Sequence, residues 1–303
     1  MKIDRKALKS GARLALCCQP GHSPRRVTVL YLLLSGGWMP ALGLAGESPV
    51  NQLFQMLRQG ILPGRALALA IASVGTVGLF LNILWMIVRL VADIGYASWA
   101  LQVSRGDKTG AAALLDGFSM VGRVLLLNVA VAVLSLCWYV VILLPLITLA
   151  VSAAFLPGGV VLVPVLMTVG LMLFGLCVLR YAMAEFCLLD EPEKGVFFAL
   201  RASRQLMRGR TVEYAMLLLS FLGWFVLGFV VSWVAESAAI TALGGLSAVM
   251  NGDVQRVLQL SSHPVVVGVA TVAGWLVSLW VQPYFTVTQA GYYDHLRKQE
   301  PQR

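Results

Sequence analysis

The sequence has few charged residues. Only 12% of its 303 residues are Asp, Glu, Lys or Arg, whereas 59% are hydrophobic. Residues 124 to 179 include no Asp, Glu, Lys, Arg or His at all. Soluble domains contain about 25% charged residues, and runs of about 18 or more apolar residues predict membrane-spanning helices. The composition therefore excludes a soluble domain and predicts an all-α integral membrane protein.

Histidine and the common catalytic motifs are also scarce. The three histidines, His22, His263 and His295, fall in different segments outside the predicted spans. The sequence has neither an H-E-x-x-H zinc motif nor a glycine-rich phosphate-binding loop. No predicted span supplies a histidine to activate a buried serine. We therefore predict that the protein is not an enzyme and that it needs no cofactor.

The cysteines do not indicate a disulfide framework. There are five, an odd number, and Cys137 and Cys177 lie within predicted spans. Cys17, Cys18 and His22 lie close together in the sequence, but three ligands without a fourth are weak evidence for a zinc site. We predict no metal site.

The basic residues are distributed unevenly along the chain. The net charge is +9, and 20 of the 23 lysines and arginines lie in alternate segments between the apolar runs. Only Arg58, Arg65 and Arg256 lie in the remaining segments. This asymmetry follows the positive-inside rule, in which the basic loops stay in the cytoplasm. It predicts that both termini are cytoplasmic, and it argues against a nucleic-acid partner.

Six transmembrane helices fit this pattern, at about residues 27–45, 66–88, 124–149, 160–179, 214–234 and 265–281. A short helix on the far side is expected after Ser48. We expect the second span to continue as a helix to Arg105, Pro145 to kink the third span, and Pro283 to interrupt the sixth. The basic flank and small residues of the first span also fit a cleaved signal peptide, so its retention stays open.

The predicted organisation is a single membrane domain of three hairpins. Residues 1–20 form a basic amphipathic helix, and residues 27–105 form the first hairpin. Residues 107–190 hold a loop helix and the second hairpin, and residues 191–298 hold an interfacial helix and the third. One constant offset relates Gly110 to Gly195 and Arg123 to Arg208, which indicates a threefold internal repeat. Chance matches in so apolar a chain would give the same pattern.

The segment between the fourth and fifth spans is typical of a helix lying on the membrane surface. Pro192 suits a first helical turn, the acidic residues Asp190, Glu191 and Glu193 suit the positive end of the helix dipole, and Gly209 suits a left-handed cap at its end.

A basic stripe runs along this interfacial helix. It lies beside a mostly apolar arc, which predicts contact with anionic lipid headgroups or with another membrane protein. A solvated loop helix shows the same pattern and stays an alternative. The stripe consists of Lys194, Arg201, Arg204 and Arg208, and the arc of Val196, Phe197, Leu200, Ser203, Leu206 and Met207.

Arg180 and Glu185 follow the fourth span. Two such residues can line a cavity that opens to the cytoplasm, and they are our candidate cavity pair. Side chains at the ends of spans also extend toward the interface without any site, and that alternative stays open. Arg89 and Asp93, four residues apart, are expected to pair on a helix surface.

These segments resemble the bacterial domain-of-unknown-function family nine-seven-five. The resemblance covers nearly the whole chain and implies a six-span bacterial membrane protein, with no established activity or catalytic residues. Its most specific part is the central block. The residues that carry it are Arg5-Lys6-Ala7-Leu8-Lys9, Gly117-Phe118, Gly122-Arg123, Tyr181-Ala182-Met183-Ala184, Ala199-Leu200-Arg201-Ala202-Ser203-Arg204, Leu206-Met207-Arg208-Gly209, Gly223-Trp224, Pro283-Tyr284 and Tyr292.

Two classes of function remain. The predicted span centres hold no charged residue, so no proton or ion relay can be traced. We therefore favour a non-catalytic protein that organises, assembles or modulates other membrane components. The alternative is a permease for a lipid-like or apolar substrate, which would use the helix breaks and the polar cluster Gln282, Thr286, Thr288 and Gln289.

Overall fold

The computed structural model describes residues 5–19, 23–36, 63–153 and 159–299. Within these ranges every regular element is helical, which confirms the all-α fold. The α-helices are α1 (Arg5–Cys17), α2 (Ser23–Ser35), α3 (Pro63–Ser104), α4 (Asp116–Ser119), α5 (Val121–Trp138), α6 (Leu144–Ala153), α7 (Gly159–Val178), α8 (Ala184–Asp190), α9 (Val196–Leu206), α10 (Thr211–Leu219), α11 (Leu222–Ala242), α12 (Gly245–Met250), α13 (Val254–Ser261) and α14 (Pro264–Gln299).

Five stretches of the described chain are long and apolar enough to cross a membrane: Ile83–Ser104, Val121–Leu149, Val163–Asp190, Leu222–Ala242 and Pro264–Gln299. Only α2 of the first predicted span is described, and the short helix expected after Ser48 lies outside the described residues. A membrane crossing by the first predicted span, and with it the total of six, therefore stays a prediction, as do the cytoplasmic termini and the threefold repeat.

The second and fourth predicted spans agree well with the helices. α7 covers Gly159–Val178, within one residue of the predicted 160–179 at each end. α3 runs without interruption through Pro63–Ser104, as the predicted extension toward Arg105 requires. Both segments are apolar at nearly every position. Arg65 and Arg89 flank the second span, and Arg180 follows the fourth, so these charges mark the ends of the apolar runs.

The third span departs from α-helical geometry just before Pro145. Tyr139–Leu143 forms a π-helix, and the N–H of Leu144 donates to the carbonyl of Tyr139, five residues earlier. Proline lacks an N–H and its ring collides with the carbonyl four residues before it. A π-bulge relieves this conflict within a continuous helix, so the predicted irregularity takes that form.

Two predicted features of the last spans are wrong. Pro283 does not interrupt the sixth span, because α14 is continuous through it. Membrane helices accept an internal proline because neighbouring groups can satisfy the one freed carbonyl. The fifth span is not continuous over 214–234: α10 ends at Leu219, and α11 begins at Leu222 after a tight turn.

The break in the fifth span is fixed by packing. The N–H of Ser220 donates to the carbonyls of both Met216 and Leu217, which tightens the last turn of α10. Phe221 is then fully buried, and its ring meets that of Phe285 edge to face at 5.2 Å between centroids. Lys9 of α1 lies 4.3 Å from the centroid of the Phe221 ring.

The chain divides into two compact units, each assembled from distant parts of the sequence. Unit 1 comprises Met1–Pro20, Ile94–Leu222 and Phe285–Arg303, and unit 2 comprises Gly21–Asp93 and Gly223–Tyr284. Trp99, Met183, Met207 and Leu296 are among the largest fully buried side chains of unit 1. The core of this unit is therefore built from side chains that are far apart in the sequence.

Glycines allow close packing in both units. In unit 1, a Cβ at Gly95 would lie 2.2 Å from the carbonyl oxygen of Leu114, so only glycine fits. In unit 2, a Cβ at Gly274 would lie 2.6 Å from the hydroxyl of Ser232. Asp93, also in unit 2, accepts a hydrogen bond of 2.7 Å from Tyr31.

Arg89 and Asp93 interact electrostatically, as expected, but they form no close ion pair, and each side chain also contacts another group. Asp93 is bonded to Tyr31 from α2, and the guanidinium of Arg89 lies 5.7 Å from the ring centroid of Trp85. Tyr31 lies on another helix, so the four-residue spacing of Arg89 and Asp93 could not predict its hydrogen bond to Asp93.

Candidate functional site

Arg180 lies directly after the long apolar helix α7. A single 3₁₀ turn, Leu179–Tyr181, follows Val178 and carries the Arg180 side chain. Tyr181, its neighbour, is buried. The guanidinium of Arg180 is exposed and lies 6.0 Å from the centroid of the Trp138 ring.

The interfacial helix is shorter than predicted. Pro192–Lys194 forms a 3₁₀ turn, and Gly195, with a φ of +83°, separates it from α9 at Val196. The prediction that Pro192 begins this helix is therefore wrong. Gly209 adopts a φ of +75°, which confirms the left-handed glycine expected after the helix.

The apolar arc of α9 packs into unit 1. Val196, Leu200, Ser203, Leu206 and Met207 are buried within the protein. A helix lying on a membrane surface would turn such an arc toward lipid, whereas here most of the arc is covered by the protein. Of the predicted arc only Phe197, with 71% of its surface exposed, points outward. The exposed face of α9 carries arginines and phenylalanine together.

Three arginines of the predicted stripe meet Arg180 at one cavity. Arg201 and Arg204 are three residues apart on α9 and share one face of that helix, and Arg208 follows in the turn after it. With Arg180 they line a concave cavity of about 500 Å³. Its other lining residues are Gln205, Met207, Gly209 and Thr211, so no carboxylate of the described chain faces it.

A buried hydrogen bond joins the two segments that form this cavity. The hydroxyl of Ser203, which is fully buried, donates to the carbonyl oxygen of Arg180 at 2.9 Å. Ser203 lies in the turn of α9 between Arg201 and Arg204. This bond therefore fixes the backbone of Arg180 beside the helix that carries Arg201 and Arg204.

Two predicted site residues lie apart from the cavity. Lys194 forms an ion pair with Glu191, with 2.9 Å between Nζ and Oε2, and it lies 4.7 Å from the ring centroid of Phe198. Glu185 interacts electrostatically with Tyr214, which does not line the cavity. The cavity thus holds Arg180 without Glu185.

A second charged cluster in unit 1 was not foreseen from the sequence. Arg105 contacts Asp190 at 2.8 Å and Asp294 at 2.9 Å. Arg297 contacts the same Asp190 carboxylate and, at 3.0 Å, Glu191. With Lys194 the cluster holds three cations and three carboxylates, so its charges balance.

Two hydroxyl groups complete this network. Tyr293 donates to Asp190 at 2.8 Å, and Ser104 donates to Asp294 at 2.9 Å. The hydrogen bond to Asp190 raises the pKa of the Arg105 guanidinium above its ordinary value, so this cation stays charged.

The role predicted for Asp190 is wrong. It is the last residue of α8 and pairs with Arg105 and Arg297, rather than complementing the dipole of the interfacial helix. Its partners come from residues 85 and 107 positions away. The sequence shows only that charged residues cluster around Asp190 after an apolar run. That pattern does not identify Arg105 and Arg297 as its partners.

The cavity and the network differ chemically. The network is a closed set of paired charges, whereas the cavity presents guanidinium groups, one amide and one hydroxyl. Guanidinium groups donate hydrogen bonds and accept none, so the cavity suits an anion. Across the described ranges no three His, Cys, Asp or Glu side chains are grouped to hold a metal ion.

Five helical stretches of this length and apolarity define the class of multi-pass helical membrane proteins. A family model described as "Protein of unknown function (DUF975)" matches residues 48–300, and the chain belongs to this family. This confirms the resemblance identified from the sequence. Searches of curated proteins and of solved structures found no match.

Proposed function

We propose that this chain is a non-catalytic protein of the bacterial cytoplasmic membrane that organises or modulates other membrane components by binding anionic lipid headgroups. The observation that carries this proposal is the cavity of four arginines with no facing carboxylate. Both termini and the cavity lie on the cytoplasmic side in this proposal, because the basic segments are expected there.

The position of the cavity along the chain supports a headgroup ligand. α7 has 20 residues and no charged side chain, and a helix of that length spans about 30 Å, the thickness of the hydrocarbon core. Arg180 follows α7 almost at once. In a membrane crossed by α7, the arginines are therefore at the level of the headgroups.

The exposed surface of α9 supports the same placement. Phe197 and Phe198 are exposed beside Arg201 and Arg204. Aromatic side chains insert at the boundary between headgroups and acyl chains, while arginines bind the anionic groups. The exposed face of α9 has both components, although its apolar arc is turned into the protein.

The test compares two full-length variants in which three cations are replaced by glutamine. One changes Arg201, Arg204 and Arg208, and the control changes Lys108, Arg123 and Lys298, which are exposed and do not line the cavity. Each protein is extracted in mild detergent, and the phosphatidylglycerol that remains bound is measured by mass spectrometry.

We expect the cavity variant to retain at least about fivefold less phosphatidylglycerol, because each basic side chain at a membrane surface contributes about 1 kcal/mol. The control should retain close to the wild-type amount. Equal retention by the two variants, with both folded, would show that the cavity does not bind anionic lipid and would refute the proposal.

A permease for a lipid-like or apolar substrate is the second candidate. One observation favours it: in unit 2, α11 and α14 enclose a groove of about 270 Å³ that includes Gln282, Ser232 and Ser278. Two observations weaken it. α14 is not broken at Pro283, and Gln289, from the same polar cluster, bonds to Tyr214 at 2.7 Å in unit 1.

Flux measurements on proteoliposomes separate the two candidates. A permease gives saturable flux of a fluorescent lipid that is lost when Gln282 is replaced by Leu. The organising role gives no flux above that of protein-free liposomes, and Gln282→Leu changes nothing.

A further inference from the structure

We infer that the cavity of Arg180, Arg201, Arg204 and Arg208 is a binding site for a terminal phosphate that carries two negative charges. This inference deepens the proposed function and rests on it, because it names the chemical class of ligand for the same site. It distinguishes a phosphomonoester from the singly charged phosphodiester of most membrane lipids.

The first argument is the contrast in charge pairing within unit 1. Arg105, Lys194 and Arg297 each contact a carboxylate. Among the residues for which side chains are described, Arg201, Arg204 and Arg208 have no ion pair. Four neighbouring cations repel one another, and this repulsion is relieved when a polyvalent anion binds between them.

The second argument is that the arginines are positioned by the fold. Ser203 is buried and holds the backbone of Arg180 against α9 through its 2.9 Å hydrogen bond. Gly209, with its φ of +75°, turns the chain from α9 toward α10. The four arginines therefore come from two segments that are fixed to each other, which differs from a flexible basic tail.

The third argument concerns the start of α10. Thr211 is the first residue of this nine-residue helix, and it lines the cavity. The N-terminus of a helix carries a partial positive charge and unpaired N–H groups. It adds positive potential to a site already lined by guanidinium groups, and Thr211 contributes a hydroxyl donor.

The ligand chemistry follows from the number and shape of these donors. A guanidinium group binds two phosphate oxygens at once through its planar fork. A phosphomonoester offers three terminal oxygens and a charge of about −1.5 to −2 at neutral pH. A phosphodiester offers only two terminal oxygens and one charge, so it satisfies fewer of the four arginines.

The size of the cavity permits more than the phosphate itself. Its volume of about 500 Å³ falls within the range of about 300–1,000 Å³ that is usual for ligand sites. The phosphate can belong to a lipid headgroup such as that of phosphatidic acid or to a soluble phosphate ester. The binding chemistry is the same, and the experiment separates the two sources.

The experiment uses the full-length chain in detergent with three probes: short-chain phosphatidic acid, short-chain phosphatidylglycerol and glycerol 3-phosphate. Binding of each is measured by native mass spectrometry and by the shift in thermal unfolding. We expect phosphatidic acid to bind about tenfold more tightly than phosphatidylglycerol, which corresponds to one additional charge-assisted contact.

Variants assign this preference to the cavity. Arg180→Lys keeps the charge and removes one fork, so it should reduce the preference while general anionic binding remains. Arg123→Lys, outside the cavity, is the matched control and should keep the tenfold ratio. Ser203→Ala frees the backbone of Arg180 and should lower the ratio of the affinities for phosphatidic acid and phosphatidylglycerol. A loss of stability alone would not change this ratio.

The outcomes separate this inference from the proposed function. If glycerol 3-phosphate binds as tightly as phosphatidic acid, the phosphomonoester site stands and its ligand is soluble. If both lipids bind equally and the triple glutamine variant of Arg201, Arg204 and Arg208 weakens both, the inference is overturned and the proposed function stands. If no cavity variant changes the binding of any probe, both are overturned.

Discussion

Arg105 and Asp190 lie 85 residues apart in the sequence and form an ion pair with 2.8 Å between Nη1 and Oδ1. The Asp190 side chain is only 7% exposed. The same carboxylate also contacts Arg297 and accepts a hydrogen bond from Tyr293. One side chain at the end of α8 thus connects α8 to the end of α3 and to α14.

Replacing Asp190 with Asn should destabilise the protein. The change leaves two guanidinium groups without their shared carboxylate, and hydrogen bonds to charged groups contribute about 1.5–3 kcal/mol each. We expect a loss of about that size in the free energy of unfolding, measured by denaturant titration in detergent. Glu193→Gln, at an exposed carboxylate in the same loop, should have almost no effect. Equal stability of the two variants would contradict this role for Asp190.

Gly95→Ala should also destabilise the protein, by steric conflict. The added methyl group would lie 2.2 Å from the carbonyl oxygen of Leu114, and forcing atoms into a packed core usually costs about 1–3 kcal/mol. Gly122→Ala is the control, since nothing lies within 4 Å of its added carbon. Thermal unfolding in detergent should show a lower midpoint for Gly95→Ala only. An unchanged midpoint would mean that Gly95 and Leu114 are not in contact.

Tyr31→Phe tests the packing of α2 in unit 2. Removal of the hydroxyl leaves Asp93 without its 2.7 Å hydrogen bond, and loss of a donor to a charged group should lower stability by about 1–3 kcal/mol. Tyr139→Phe removes an exposed hydroxyl and should be neutral. The free energy of unfolding in detergent is the measurement, and a neutral Tyr31→Phe would argue against this contact.

The predicted orientation can be tested by labelling. Single cysteines at positions 123, 208 and 256 are introduced into a chain whose five cysteines have been replaced. An impermeant maleimide added to intact cells should label position 256 only, and labelling at 123 and 208 should require lysis. Opposite labelling of 123 and 208 would eliminate the six-span topology, because that scheme places both in the cytoplasm.

The apolar patterns predicted the helices better than they predicted their ends. α7 was located to within one residue because an uncharged run ends at Arg180. The start of α9 was misplaced because Pro192 and Gly195 are both acceptable near a helix start. Only the φ of +83° at Gly195 shows which of them separates the helix from the preceding turn. The break at Ser220 and Phe221 was missed because it depends on the packing of Phe221 against Phe285.

The candidate site was predicted in part for the same reason. Spacing alone placed Arg201, Arg204 and Arg208 on one side of the chain. Arg180 joins these arginines at the cavity, where its backbone accepts a hydrogen bond from Ser203, 23 residues away. Lys194 lies apart from the cavity and forms an ion pair with Glu191 instead. The network around Asp190 joins its own segment to two distant ones, which hold Arg105 and Arg297, and no local pattern reports such contacts.

The order of synthesis gives the Asp190 network a further consequence. Asp294 and Arg297 leave the ribosome long after Arg105 and Asp190, so the network closes only when α14 has been translated. A nascent or truncated chain that stops before α14 holds Asp190 beside Arg105 alone, with Tyr293 also missing. Such chains expose an incomplete charged cluster, and we expect quality-control proteases to remove them faster than the finished protein.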